Sequence, residues 1–248
     1  MLKVRIIPIL TFNGFGLVKT KQFSNPRMVG NPVQAARVYN NRGVDEIVFL
    51  DIYATEQKRK INMKLVADVI KECFMPVAIG GGIDSIQDIN NLLKIGADKV
   101  VIKTKAITDK IFIKKAVAFF GSQCISISID AYKTNEGYKI YNKLDLDIKL
   151  SEFINEMTEC EVGELLINSV DNDGMQNGFD INLINLVEEM TNIPIVAVGG
   201  GGHLNHYKEL FTKTTLQAVG SASIFHFTQF TPLDIKKELQ NIDIPVRI

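Results

Sequence analysis

Val77-Ala78-Ile79-Gly80-Gly81-Gly82-Ile83 decides the fold, because the chain repeats its pattern as Val196-Ala197-Val198-Gly199-Gly200-Gly201-Gly202. Each copy follows a proline (Pro76, Pro194), runs through small and β-branched residues, and ends in glycines ahead of a helical pattern. A strand of a parallel sheet is buried on both faces and needs such an apolar run. Glycines at its C-terminal end let backbone approach a ligand, and N–H groups opening onto a helix start suit a phosphate. Gly80 and Gly199 are 119 residues apart, about half of the 248. At nearly the same offset Asp51 meets Asp171, and Lys103-Thr104 meets Ala222-Ser223. Asp130, after Ser126-Ile127-Ser128-Ile129, maps back instead to Thr11, after Ile6-Ile7-Pro8-Ile9-Leu10. The repeat is therefore broken at one strand end.

Outward from the glycines, apolar runs predict strands over residues 3–10, 46–51, 76–79, 99–102, 124–129, 163–168, 193–198 and 216–220. Helical spacing predicts helices over 32–41, 63–73, 111–120, 149–158, 181–190, 203–211 and 232–239, with one more opening at Asp84 or Ser85. Residues 12–31 read as a long loop, a length that in a compact domain is usually functional or disordered. Residues 132–145 alternate around Asn135-Glu136-Gly137 and predict an inserted hairpin. Eight βα units in two equivalent halves, about 1–120 and 121–248, predict one α/β domain, a (β/α)8 TIM barrel over residues 1–248. A doubly wound open sheet is the alternative, and it does not account for the repeat.

Composition narrows the function. Hydrophobic residues make up 46% of the chain, enough for a large core, and 28 Lys+Arg balance 28 Asp+Glu. That balance gives no footing for nucleic acid or a membrane surface. Residues 1–5 run straight into a strand with no leader or membrane span, so a cytoplasmic location is expected. Cys73, Cys124 and Cys160 are odd in number and lack metal-ligand spacing, which predicts buried, reduced thiols and no metal; no cofactor is expected.

In a barrel the active site gathers at the C-terminal ends of the strands. There the sequence places Thr11, Asp51, Gly81, Gly82, Lys103, Thr104, Asp130, Asp171, Asp173, Gly200, Gly201 and Ser223. Two glycine clusters, each near a hydroxyl-bearing strand end, suit a ligand with a phosphate at either end. A rim that merely packs its loops closely is the plain alternative. Asp130 is the candidate general acid or base. At the opposite end Arg5, Glu46, Lys99 and Glu164 begin strands 1, 2, 4 and 6. If they turn inward, two cations and two anions form a balanced ring, the least costly way to bury them. A structural plug, or four surface charges, would use the same residues.

These residues carry a family resemblance. Arg5-Ile6-Ile7-Pro8, Val44-Asp45-Glu46-Ile47-Val48-Phe49-Leu50-Asp51-Ile52, Gly80-Gly81-Gly82-Ile83, Gly96-Ala97-Asp98-Lys99-Val100, Phe120-Gly121-Ser122-Gln123 and Asn168-Ser169-Val170-Asp171-Asn172-Asp173-Gly174 resemble the cyclase subunit of imidazole glycerol phosphate synthase over nearly the whole chain. The resemblance implies a (β/α)8 lyase or cyclase subunit that receives ammonia from a glutaminase docked at the N-terminal face of the barrel. It implies an ammonia gate of Arg5, Glu46, Lys99 and Glu164, with Asp98 near the glutaminase. It also implies a phosphorylated small-molecule ligand held by the glycine rims, with Gly174 in that site. Of the family's two catalytic aspartates, one matches Asp130 and the other falls on Thr11; the family's loop lysine matches Lys19, and an asparagine of its phosphate site is replaced by Lys103.

Phe23, Pro26, Val29-Gly30, Glu72-Cys73-Phe74-Met75-Pro76 and Leu210-Phe211 look more like a paralogous branch, the acetamidino-sugar modification proteins of bacterial surface-polysaccharide pathways. There the barrel is expected to work with a glutaminase and a sugar amidotransferase, so that ammonia ends on an N-acetyl sugar. Three functions are carried forward: an ammonia-conducting subunit for sugar amidation, a genuine cyclase of histidine biosynthesis with a rearranged site, and a non-catalytic assembly platform.

Overall fold

In the computed structural model, which describes residues 2–248, eight parallel strands close on themselves. They are β1 (Arg5–Phe12), β4 (Ile47–Asp51), β5 (Val77–Gly80), β6 (Lys99–Ile102), β7 (Ile125–Thr134), β9 (Glu164–Ser169), β10 (Ile195–Val198) and β11 (Ala218–Ser221). Each pairs with the next in this order, and β11 pairs with β1, aligning Arg5 with Ala218 and Pro8 with Ser221. The result is the expected (β/α)8 barrel rather than an open sheet.

Alternation along the strands makes two cores. Ile7, Ile9, Val48, Ala78, Val101, Leu166 and Val196 face inward and pack together inside the barrel. Ile6, Leu10, Ile47, Phe49, Ile79, Ile102, Ile127, Leu165 and Ile167 belong to the outer core. The helices α1 (Pro32–Asn41), α2 (Met63–Ile70), α3 (Ile86–Lys94), α4 (Thr104–Thr108), α5 (Lys110–Phe120), α6 (Leu150–Glu159), α7 (Ile181–Met190), α8 (Leu204–Lys213), α9 (Ser223–Phe227) and α10 (Pro232–Gln240) surround the barrel. Among the described residues no helix is long and apolar enough to cross a membrane.

Local chemistry sets the helix ends. Ser85, not Asp84, caps α3, in a reciprocal box with Asp88, and Thr231 and Asp234 repeat that box on α10. Helix α2 stops at Ile70 rather than residue 73, since Glu72 and Cys73 turn back onto Val69 and Ile70 in tight i→i−3 bonds. Helices α4 and α9 were absent from the sequence expectation. They begin 119 residues apart, the spacing of the glycine clusters, and each follows its strand directly.

Residues 12–31 are not a plain loop. They form the antiparallel hairpin β2 (Leu17–Lys21) and β3 (Ser24–Gly30), with Gln22 and Phe23 both at positive φ in its two-residue turn. Such a turn normally advertises itself with Asn or Gly, and neither is present. The expected second hairpin joins the end of β7 to β8 (Gly137–Ile140), with Thr134 opposite Gly137.

The two ends of the chain meet below the barrel. Lys236 of α10, 1% exposed, donates to the Gly43 carbonyl and to Asp45 Oδ1, both at 2.9 Å, while Asp45 Oδ2 accepts from the Ile6 amide. Lys236→Ala strands a buried carboxylate and should lower unfolding free energy by about 3 kcal/mol. Urea denaturation measures this; a loss below about 1 kcal/mol would show that Asp45 finds water instead.

Candidate active site

At the C-terminal ends of the strands lies a cavity of about 430 Å³. Thr11, Lys19, Asp51, Gly81, Gly82, Lys103, Thr104, Asp130, Asp173, Gly174, Gly200, Gly201 and Ser223 all line it, so the structure brings together nearly every residue singled out for the mouth. Asp171 lies outside. It is exposed on the loop after β9, and its carboxylate accepts from the Lys133 amide at 2.8 Å.

Asp130 is buried and has a partner on each oxygen. Asn168 Nδ2 donates to Oδ1 at 3.1 Å, and the Lys103 ammonium pairs with Oδ2. The same ammonium lies 5.7 Å from the Phe23 ring centroid and 5.6 Å from that of Tyr141, and the two rings meet edge-on at 5.2 Å. Phe23 comes from the turn of the β2–β3 hairpin and Tyr141 from the residue after β8, so both hairpins converge on Lys103 above Asp130. Thr11 does not reach across the mouth: its hydroxyl donates to the Val18 carbonyl of β2. Asp51 is held by both Nη atoms of Arg59, which sequence reasoning had not singled out.

Lys19, 7% exposed, lies 3.7 Å from Asp173, whose other oxygen accepts from the Thr20 hydroxyl at 3.2 Å. Burial pushes the Asp173 carboxyl above its ordinary value, against the pull of Lys19 and Thr20; the nearby Asp130 carboxylate adds to the rise. His226 of α9 is held at about 4, first by burial and then by the charge of Lys19. No sequence signal marked His226, because the hairpin brings Lys19 to it.

The glycines have a packing reason of their own. A Cβ on Gly81 would lie 2.6 Å from the Asp51 carbonyl oxygen, and one on Gly200 would lie 1.9 Å from that of Gly178. Both have positive φ, at 124° and 102°, where a side chain is strained in any case. Close approach of neighbouring strand-end loops thus accounts for these glycines before any ligand is invoked.

The floor holds a closed ring. Arg5 donates from Nη1 to Glu46 Oε2 and from Nη2 to Glu164 Oε1, each at 2.6 Å. Lys99 Nζ donates to Glu46 Oε1 at 2.9 Å and to Glu164 Oε2 at 3.1 Å. Charges alternate around the ring, and Glu46 (2% exposed) and Glu164 (5% exposed) are too deeply buried to be surface charges. Burial works to lower the pKa of Arg5, and the carboxylates of Glu164 and Glu46 overcome it to hold the guanidinium above its usual value. Asp98, just before β6, is exposed on this face and accepts from the Val77 amide at 2.8 Å. Among the described residues no group of three or more His, Cys, Asp or Glu is placed to hold a metal ion.

Fold and site together define an enzyme-type (β/α)8 barrel, with a largely apolar cavity carrying a few charged groups at the strand C-termini and a floor closed by ions. The chain belongs to the histidine biosynthesis protein family, whose sequence model matches residues 5–231. It is 40% identical over 249 residues to the imidazole glycerol phosphate synthase subunit HisF of Clostridium botulinum (strain Alaska E43 / Type E3), with 98% of each chain covered. It is 41% identical to the HisF subunits of Streptococcus mutans serotype c, over 251 residues, and Bacillus cereus (strain AH187), over 252, with 100% of each chain covered.

His226 gives a pH test of the mouth. Its folded value lies below the ordinary 6.5, so the unfolded chain takes up the proton first. Its contribution to stability is complete above pH 6.5 and is lost as pH falls toward 4, by on the order of 3 kcal/mol. Unfolding free energies of His226→Asn, measured from pH 7 to pH 4, should fall less steeply than those of the unsubstituted protein. Parallel curves would mean that His226 is solvated.

Proposed function

We propose that this chain is the synthase subunit of a glutamine-dependent complex: a glutaminase docks at its N-terminal face around Asp98, ammonia passes the ring of Arg5, Glu46, Lys99 and Glu164, and a phosphorylated acceptor is held at the mouth. The observation that carries the proposal is the closed ring. A charge-balanced floor excludes ions, while a small neutral molecule passes when one member swings aside. Lysine is that member: both cations contact both carboxylates, but a point charge on a flexible stem moves more readily than a planar fork with a separate nitrogen fixed to each carboxylate.

For the acceptor, the mouth supports an amidation route to an N-acetyl sugar, with a sugar amidotransferase as a further partner. Thr11 cannot serve as a carboxylate acid or base, and loss of such a group typically costs about 10²–10⁴-fold. Lys103 also occupies the remaining aspartate. A second reading, the genuine cyclase of histidine biosynthesis, is favoured by whole-length identity of 40–41% to proteins named HisF. Those names support it better than they support sugar amidation.

Turnover of the imidazole-glycerol precursor by the purified protein with ammonium salts decides between the two. The sugar route expects negligible turnover; a rate within about tenfold of a genuine cyclase would establish the second reading and overturn the first. The gate has its own test. Lys99→Ala leaves Glu46 and Glu164 underpaired, so in the assembled complex glutamate released per product formed should rise, while free ammonia still drives product. An unchanged ratio would make the ring a structural plug, as expected of a mere assembly platform.

A further inference from the structure

Two buried side-chain atoms have no hydrogen-bond partner among the described residues: Asn168 Oδ1, at the end of β9, and Gln176 Nε2, in the loop that follows. Both residues line the mouth cavity. Buried polar atoms are nearly always paired, and leaving one unpaired is costly. An orphaned acceptor and an orphaned donor on one cavity therefore point to a ligand that supplies both partners. The Asn168 amide has its orientation set by its neighbour. The Asp130 carboxylate only accepts, so Nδ2 turns to it at 3.1 Å and Oδ1 is left over.

Both amides lie along the glycine run that follows β10. A Cβ on Gly199 would stand 2.8 Å from Asn168 Oδ1, and one on Gly202 would stand 2.3 Å from the Gln176 Cβ. Glycine at these places leaves the acceptor uncovered and lets Gln176 come close. Gln176 also holds φ at 58°, a left-handed conformation that few side-chain-bearing residues adopt. An acceptor and a donor presented together are the complement of a secondary amide, which offers one N–H and one C=O. The neighbours suit a methyl end: Leu166, two residues before Asn168 on β9, and Val198, paired with Asn168 across to β10, also line the cavity. Amide and methyl together make an acetamido group.

We infer that Asn168 and Gln176 form an acetamido-recognition subsite, Gln176 Nε2 donating to the ligand's carbonyl oxygen while Asn168 Oδ1 accepts from its N–H. The inference rests on the sugar-amidation reading proposed above and names the group that the mouth recognises. It also gives the subsite a direction. An acetamidino group carries N–H where the carbonyl oxygen stood, so a donor would face the Gln176 donor, and a site built to pair one polar group rejects its mismatched analogue. The amide is held and the amidine is released.

The test is calorimetric titration of the full chain with the anomeric phosphates of N-acetylglucosamine and N-acetylgalactosamine, each against the plain sugar phosphate with a hydroxyl in place of the acetamido group. The N-acetyl forms should bind roughly tenfold more tightly. Gln176→Met keeps the size and removes the donor, Asn168→Leu removes the acceptor, and each should erase that preference, with circular dichroism checking each fold. A preference that survives in either variant refutes the paired recognition and leaves the sugar reading standing. Equal binding of N-acetyl and hydroxyl forms to the unsubstituted chain refutes the subsite, while a sugar phosphate still occupies the mouth. If no sugar phosphate binds at millimolar concentration, the sugar reading itself is overturned and the subsite falls with it.

Discussion

The parallel pairing of β1 with β11 is the contact on which the rest of the molecule depends. Until those strands join, an alternating strand has two faces that both look outward over an open sheet. Closure turns one face into an interior with a floor and a mouth. Arg5, which opens β1, then stands beside Ala218 of β11, Glu46 at the entry to β4 and Glu164 of β9, and charges that would be solvated on an open sheet must satisfy one another. The ring is a consequence of closure as much as of composition.

The mouth obeys a different constraint. Two hairpins inserted after β1 and β7 bend over the cavity, and their contact is aromatic and cationic: Phe23 on Tyr141, with the Lys103 ammonium near both. Lys103 reaches down at the same time to Asp130, so the carboxylate best placed for chemistry is also what anchors the cover. The Asp51–Arg59 pair closes another side, and Lys19 enters from the first hairpin to face Asp173, its charge helping to hold down the pKa of His226. Short-range packing explains the glycines of this rim, while the cations explain how buried carboxylates persist beneath it.

The family's sequence model covers residues 5–231, and the relatives named HisF align over the whole chain, so kinship extends from floor to mouth. Within that kinship the two ends of the barrel differ in character. The floor keeps a balanced set of charges, in which any single replacement leaves a partner uncompensated. At the mouth the Thr11 hydroxyl satisfies the Val18 carbonyl, and the Lys103 ammonium neutralises the buried Asp130.

The eight strands, the glycine ends and the floor charges were legible in the sequence, because a period of two and a repeat of 119 residues are local patterns that need no knowledge of distant contacts. The break of that repeat at Thr11 was legible for the same reason. What the tertiary structure alone decided was the pairing. The hairpin within residues 12–31 lacks the usual turn residues, and Arg59, Asn168 and His226 acquire roles only through partners 8 to more than 200 positions away in sequence. The sequence likewise left open whether Lys103 would face a ligand or Asp130. Side-chain direction at a strand end depends on the loops that fold over it, and those loops are positioned only once the barrel has closed.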